Sequence, residues 1–334
     1  MTDRQRHKAL VLEYFAAMER APVGSIGRVL RSYVSDDYQF LGVHPFNELK
    51  GADAVADTLW TPLHEAWSPI QRRQDVFIAG TSEVHGDQWV MSMGHLLGVF
   101  RSDWLGIRAT HKAALLRYAE FNCVASDRIV KTGFFCDIIG VMQQAGVHPL
   151  PPQTGAPFLY PGPRTHDGIL LDPQPEAEGA RTLAVVNRMV DDLTQLNVSG
   201  NDRCPPEVLQ RTWHDDMSWY GPAGIGTSYT IPVYQRQHQY PFREGLADKV
   251  FNGHVCRFAE GSYACFFGWP NLSNTARGGF LGLPGGTRAD MRVVDVYRRD
   301  GDKLAENWVF IDLPYWLKQQ GLDVLERTRA ICNP

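Results

Sequence analysis

Residues 117–147, RYAEFNCVASDRIVKTGFFCDIIGVMQQAGV, lie without a gap on residues 292–322, RVVDVYRRDGDKLAENWVFIDLPYWLKQQGL, at a constant offset of 175. Arg117 falls on Arg292, Glu120 on Asp295, Asp127 on Asp302, Phe135 on Phe310, Asp137 on Asp312, Gln144 on Gln319 and Gly146 on Gly321. A repeat of this length dictates the architecture before any single element does: the chain is two copies of one unit.

Outward from that stretch the same offset aligns the first helices, with Val11, Phe15 and Met18 falling on Val186, Val190 and Leu193 at the spacing of one helical face. An offset of 179 pairs Asp36-Asp37 with Asp215-Asp216, and 174 pairs Gly94 with Gly268, so short loop insertions account for the drift. Between the copies, His148 to Gly179 holds eight prolines and no sustained periodicity, which reads as a linker. The expected domains are therefore 1–148 and 180–334, joined by a Pro-rich linker over 149–179. Each copy has the order helix, helical turn with an aspartate pair, short strand, further helix or loop, three longer strands and a terminal helical turn. Successive strands without intervening helices rule out a doubly wound parallel sheet. The class is α+β: two tandem cone-shaped barrels, each a curved, mostly antiparallel sheet wrapped on its N-terminal helices. Such a sheet leaves an open end able to hold a small ligand.

Composition narrows the partners. The chain of 334 residues is 44% hydrophobic and 21% charged with a formal charge of -4, which excludes a nucleic-acid footprint. No apolar run reaches the roughly 20 residues of a membrane span. The polar start Met1 to Lys8 has no signal core, so a cytoplasmic protein without membrane association is expected. The six cysteines contain no CxxC pair and are expected to be reduced. His254 and Cys256 share a strand face but lack a third ligand, so no metal site is expected. The glycine-rich stretch Gly278 to Gly286 lacks the Lys-Ser/Thr of a phosphate loop and reads as a flexible cover.

The aspartate pairs, the Arg292-x-x-Asp295-x-Tyr297 strand, Asp300-Gly301-Asp302-Lys303-Leu304, Glu306-Asn307-Trp308, Asp312 and Leu317 to Gly321 together resemble the SnoaL-like polyketide cyclase family of the nuclear-transport-factor-like superfamily. The resemblance covers most of both copies. It implies an apolar pocket, acid/base chemistry without a cofactor, and pairing of sheets, internally or in a homodimer. The family places a histidine on the penultimate strand and an essential aspartate three residues before the position of Asp312. This chain has Asp295 and Glu120 at the first position and Val309 and Phe134 at the second.

Two hairpin registers remain open. A three-residue loop sets Asp295 opposite Asn307, on the face of Val293, Tyr297 and Val309. A two-residue loop instead sets it opposite Glu306, two carboxylates face to face. The first agrees with the family's pocket face. Asp295 and Glu120 are the expected proton-transfer groups, because an acid among apolar neighbours has a raised pKa; the alternative for each is a buried ion pair. Asp137 and Asp312 read as helix N-caps. His95 and its equivalent Trp269, with His111, are candidates for the pocket mouth, and His95, His111 or Asn307 is expected to take part in catalysis by hydrogen-bonding an enolate oxygen. Asn307, Val309, Tyr297, Trp269 and Phe134 are the expected ligand contacts. Phe134 narrows the first pocket while Val309 leaves the second open, so the second copy is expected to hold the principal site. The function implied is a cofactor-independent lyase or isomerase acting on an apolar, cyclic or polyketide-like molecule; the alternative is a non-catalytic binder using the same pocket.

Overall fold

The computed structural model describes residues 2–158, 160–199 and 203–332. They divide into two compact α+β units, one formed by residues 1–149, 165–173 and 322–334, the other by 150–164 and 174–321. These boundaries differ from those expected. The proline-rich segment is divided between the units, and the helix Val324–Cys332 counts with the first unit. There Thr328 sends its hydroxyl to the Met142 sulfur at 3.4 Å, and Arg108 donates to the Cys332 carbonyl.

In the first unit the helix Asp3–Arg20 starts where Thr2 accepts the Gln5 amide at 3.3 Å, with Asp3 in its first turn and Arg20 in its last, matching the helix dipole. Its buried stripe of Val11, Tyr14, Phe15 and Met18 faces a six-stranded sheet. The strands are β1 (Val34–Gly42), β2 (Glu48–Lys50), β3 (Gln71–Thr81), β4 (Gln88–Val99), β5 (Ala113–Ala125) and β6 (Arg128–Cys136), in the order β2-β1-β6-β5-β4-β3. All pairings are antiparallel except β1 with β6.

The second unit repeats this plan with β7 (Trp213–Tyr220), β8 (Thr227–Tyr229), β9 (Leu246–Phe251), β10 (Cys256–Glu260), β11 (Tyr263–Ala276), β12 (Arg288–Asp300) and β13 (Lys303–Ile311). β13 with β7 is its parallel pair, and β9 and β10 both pair with β11. Two details of the expected order change. The aspartate pairs lie on strands β1 and β7 instead of a helical turn, and four strands, not three, follow the short helices of the first copy. In the second copy, the counterpart of β3 is broken at 252–255 into β9 and β10.

The hairpin β12–β13 adopts neither expected register: Asp295 lies opposite Val309, not Asn307 or Glu306. Its turn closes on Asp300 paired with Lys303 and Arg299 with Leu304. Continued unchanged, that register would put Asp295 across from an outward-facing residue. A bulge at Ala305 adds one residue, and beyond it Arg298 pairs with Glu306, Tyr297 with Asn307 and Asp295 with Val309. The extra residue restores the parity, so Asp295, Tyr297, Asn307 and Val309 share the inner face. The first copy has the same shift after Cys123, and Glu120 pairs with Phe134.

The proline-rich segment forms two straps, each on a sheet edge. Phe77 on edge strand β3 donates to the Gly168 carbonyl at 2.8 Å and accepts from Leu170 at 3.0 Å. In the second unit, Ala156 and Thr227 of β8 exchange both backbone bonds at 2.8 and 2.9 Å. Unpaired edge groups are thereby satisfied within each unit. Asp137 and Asp312 cap their helices, accepting the Gly140 amide at 3.0 Å and the Tyr315 amide at 3.1 Å. Among the described residues no helix is long and apolar enough to cross a membrane.

Gly94 and Gly268 hold the same place in β4 and β11, each beside an irregularity in the pairing with a neighbouring strand. A Cβ at Gly94 would overlap the Arg73 carbonyl oxygen, and one at Gly268 would overlap the Asn271 side chain, whereas Gly24 faces open space. Gly94→Ala is expected to cost about 2 kcal/mol or more of stability, and Gly24→Ala to be near neutral. Comparing urea unfolding of the two variants with the parent checks this.

Candidate functional site

The equivalent acids Glu120 and Asp295 occupy the same inner-face position and meet opposite surroundings. Glu120 is fully buried and forms an ion pair with Arg72 of β3 at 2.9 Å, while Asn122 donates to its other oxygen at 3.1 Å. Arg72 lies over the rings of Phe15 at 3.8 Å and Tyr118 at 4.5 Å. Burial pulls the guanidinium pKa down, but Glu120 and the neighbouring phenols more than offset this, and the net shift is upward. Phe134 is sealed in the same interior, with its ring 5.3 Å from Trp60 and 6.3 Å from Phe40. Glu120 thus follows the ion-pair alternative, through a partner on β3 that the sequence alignment does not reveal.

Along the ladder, Arg72 pairs with Leu96 and Leu96 with Leu116; in the second copy Phe251 pairs with Leu272 and Leu272 with Met291. Leu116 and Met291 are equivalent, so Phe251 stands where Arg72 stands in the first copy. Asp295 has no salt-bridge partner among the described residues. Two neutral donors hold one of its oxygens: the Tyr297 hydroxyl donates to Oδ1 at 3.0 Å and Asn307 Nδ2 at 3.1 Å. Asp295 is half-buried, and it lines a cavity of about 250 Å³ in the second unit. Burial pushes its pKa up to about 6, against the lowering effect of Asn307 and Tyr297. Burial, with Asp295 beside it, drives the Tyr297 phenol well upward, so Tyr297 stays a protonated donor.

The cavity draws its walls from every layer of the unit. The helix Glu176–Val198 contributes Met189 and Leu193, β7 contributes Trp213 and Trp219, and β13 contributes Asn307 and Val309. The break between β9 and β10 places Phe251 and His254 at the wall, with His254 stacked on Phe266 at 4.0 Å. Burial, reinforced by Arg257, takes the His254 pKa down to about 3, so this imidazole is neutral near pH 7.

Of the expected site residues, Asp295, Tyr297, Asn307 and Val309 are brought together at this cavity. The others lie elsewhere. His95 pairs across β4–β5 with Arg117, on the sheet face opposite Glu120, and its Nδ1 is 3.4 Å from Asp75. His111 is exposed in a turn with φ of 56°. Trp269 sits in the irregular stretch of β11, and the Arg292 guanidinium lies over its ring at 4.0 Å. Strand alternation explains these corrections: His95 is an odd number of residues from Ser92, the cross-strand partner of Glu120. His238 and His254 line the cavity and were not among the expected contacts. An offset of 179 extended into the short helices puts His238 on Leu59, a polar-for-apolar exchange that signals the position.

The sequence matches no family profile, and no curated protein matches it. Solved structures similar to this chain include a provisionally assigned SnoaL-like polyketide cyclase from Jannaschia sp. CCS1, at 16% identity and TM-score 0.35, covering 46% of this chain and 97% of that one. An NTF2-like protein from Burkholderia thailandensis E264 is similar at 19% identity and TM-score 0.31, covering 44% of this chain and all of that one. TsrD from Streptomyces laurentii is similar at 20% identity and TM-score 0.32, over 41% and 96% of the two chains. Each covers less than half of this chain.

The two acids are expected to respond oppositely to neutralisation. Glu120→Gln leaves the Arg72 charge buried without its counter-charge, a loss of about 3 kcal/mol. Asp295 has a folded-state pKa of about 6, above its ordinary 3.8. Between those values the folded state binds more protons than the unfolded one, so the carboxylate's contribution to stability falls as pH rises through that window. Asp295→Asn is therefore expected to stabilise the protein above pH 6, on the order of 2 kcal/mol, and to remove that pH dependence. Urea unfolding of both variants at pH 5 and pH 8 reads the two signs.

Proposed function

We propose that this chain is a cofactor-independent lyase or isomerase of the polyketide-cyclase type, acting on an apolar cyclic or polyketide-like molecule in the second unit's cavity. The observation that carries the reading is Asp295: a carboxylate at a cavity wall, with no salt-bridge partner among the described residues, and with a pKa near 6. Such a group is ionised at neutral pH yet basic enough to take a proton. With Oδ1 held by Tyr297 and Asn307, Oδ2 is the oxygen left for the substrate. It takes a proton from a carbon beside a carbonyl, and the electron pair moves onto the carbonyl oxygen as an enolate. Where a β,γ double bond conjugates the enolate, return of that proton to the γ-carbon gives the α,β-unsaturated isomer. Attack of the enolate carbon on a second carbonyl closes a ring, with the proton passing to the new alkoxide. Neither course needs an oxidant or reductant.

Glu120, neutralised by Arg72, has a structural part in this reading, and the first unit supports the fold. A non-catalytic binder is the second reading, favoured by Val309 and Phe134 at the positions where the family resemblance places an aspartate.

The probe is 2-tetralone, an apolar cyclic ketone with acidic protons beside its carbonyl, followed by NMR in D₂O. Protein-catalysed exchange is expected, rising with pH through an apparent pKa of about 6 and lost in Asp295→Asn. Val309→Trp, which fills the cavity, is expected to abolish both binding and exchange. Binding of the ketone without any catalysed exchange would favour the binder.

A further inference from the structure

His238 sits on the turn Gln235–Gln239, a π-helical turn between two short helical pieces, and the first copy has the same turn at Ala56–Trp60. Single π turns of this kind recur at functional sites. Leu59, the counterpart of His238, is fully buried core. The fold itself therefore asks for an apolar side chain at this place. In the second copy the imidazole is stacked on Trp219, with centroids 3.9 Å apart and planes at 17°, and only 9% of it is exposed. Neither ring nitrogen has a hydrogen-bond partner among the described residues, and Nδ1 is sealed in protein. Buried polar side chains almost always find a partner, and Nε2 is the ring nitrogen that a ligand can reach.

His238 also belongs to the walls of two cavities. One is the cavity of Asp295. The other, of about 150 Å³, lies between Leu150–Thr154 of the proline-rich strap, the loop Gly279–Gly282, Ile225 and Pro241. Its walls are mainly apolar. Phe280 anchors the glycine loop there, packed edge-on against Phe242 at 5.8 Å and Trp316 at 5.6 Å.

We propose that His238 is the hydrogen-bonding contact for a carbonyl oxygen of the ligand, and that the two cavities are halves of one site meeting at this ring. The ring portion of the ligand occupies the cavity of Asp295, and an apolar acyl arm runs past His238 into the smaller cavity under the strap. Burial takes the imidazole pKa down to about 3, so one nitrogen carries a proton and the other a lone pair. A bare buried lone pair is tolerated better than a bare N–H. That puts the lone pair on the sealed Nδ1 and the proton on Nε2, the nitrogen that keeps accessible surface. Nε2–H then needs an acceptor, which a ketone or ester oxygen supplies. The proposal rests on the second unit's cavity being the ligand site, and not on proton transfer by Asp295.

Three probes test it by isothermal titration: 2-acetylnaphthalene, 2-ethylnaphthalene, which lacks the oxygen, and 2-hexanoylnaphthalene, which lengthens the arm. The parent protein is expected to prefer the acetyl over the ethyl compound about tenfold, and to bind the hexanoyl compound more tightly still. His238→Phe preserves the stack on Trp219 and is expected to erase the preference for the carbonyl. Leu150→Trp, filling the smaller cavity, is expected to erase the gain from the longer arm alone. Asp295→Asn is expected to leave the carbonyl preference intact even as it ends exchange of 2-tetralone, so the two readings fail separately. Parent protein that does not prefer the ketone, including protein that binds neither compound, overturns the proposal, as does a preference that survives His238→Phe. Should His238→Phe not fold, imidazole ¹⁵N shifts in the parent decide: movement on adding the acetyl but not the ethyl compound supports it, and equal or absent movement overturns it.

Discussion

A carboxylate on the inner face of a sheet must be compensated, and the two copies meet that requirement in different ways. Water solvates an exposed acid, whereas a buried one needs a counter-charge, enough hydrogen-bond donors, or a proton. The first copy supplies Arg72, held between Phe15 and Tyr118. A guanidinium of that size, with Phe134 opposite Glu120, takes up interior that the second copy leaves empty. The second copy has Phe251 at the Arg72 position and holds Asp295 with Tyr297 and Asn307. Exchange of one cation for an aromatic ring thus leaves Asp295 without a counter-charge among the described residues, and Val309 in place of Phe134 leaves room beside it.

The repeat made the fold legible. Its gapless stretch, the aspartate caps and the absence of helices between strands were enough to read two α+β units from the residues. The inner face of β12 and β13 was also readable, although the register was reached through a bulge at Ala305 that no turn residue announces. Local rules stop at contacts between distant strands. Arg72 lies 48 residues before Glu120, outside the aligned stretch, so their pairing appears only once β3, β4 and β5 are side by side. Trp269 lies in the irregular stretch after Gly268, where simple alternation does not hold. His95 obeys alternation, and three residues from Ser92 it faces away from Glu120. His238 was readable in principle, since its exchange with Leu59 emerges when the offset of 179 is carried from the aspartate pairs into the short helices.

The proline-rich segment illustrates how composition indicates local conformation without fixing a role. Up to Pro175, where the helix Glu176–Val198 begins, eight prolines disfavour helix and a central strand, and extended backbone follows. Extended backbone is also what a sheet edge can accept. Gly155-Ala156 and Gly168 to Leu170 are the places where the segment frees an amide and a carbonyl to pair, and each does so within its own unit. Farther along the same segment, the Trp308 indole donates to the Pro161 carbonyl at 2.8 Å, and the Arg164 amide donates to the buried Glu306 carboxylate. Glu306, on the outer face, is also paired with Arg298. The strap over the second unit is thereby tied to its sheet by charge as well as by backbone pairing.

The division of the chain between the units also has a consequence during synthesis. The first unit draws on residues 322–334, so its helix Val324–Cys332 emerges from the ribosome only after the whole of the second sheet has been made. At roughly 5–20 residues per second, the N-terminal sheet waits on the order of ten seconds or more with the surface around Met142 uncovered. A nascent chain in that interval lacks the cover that Val324, Leu325 and Thr328 supply in the folded protein.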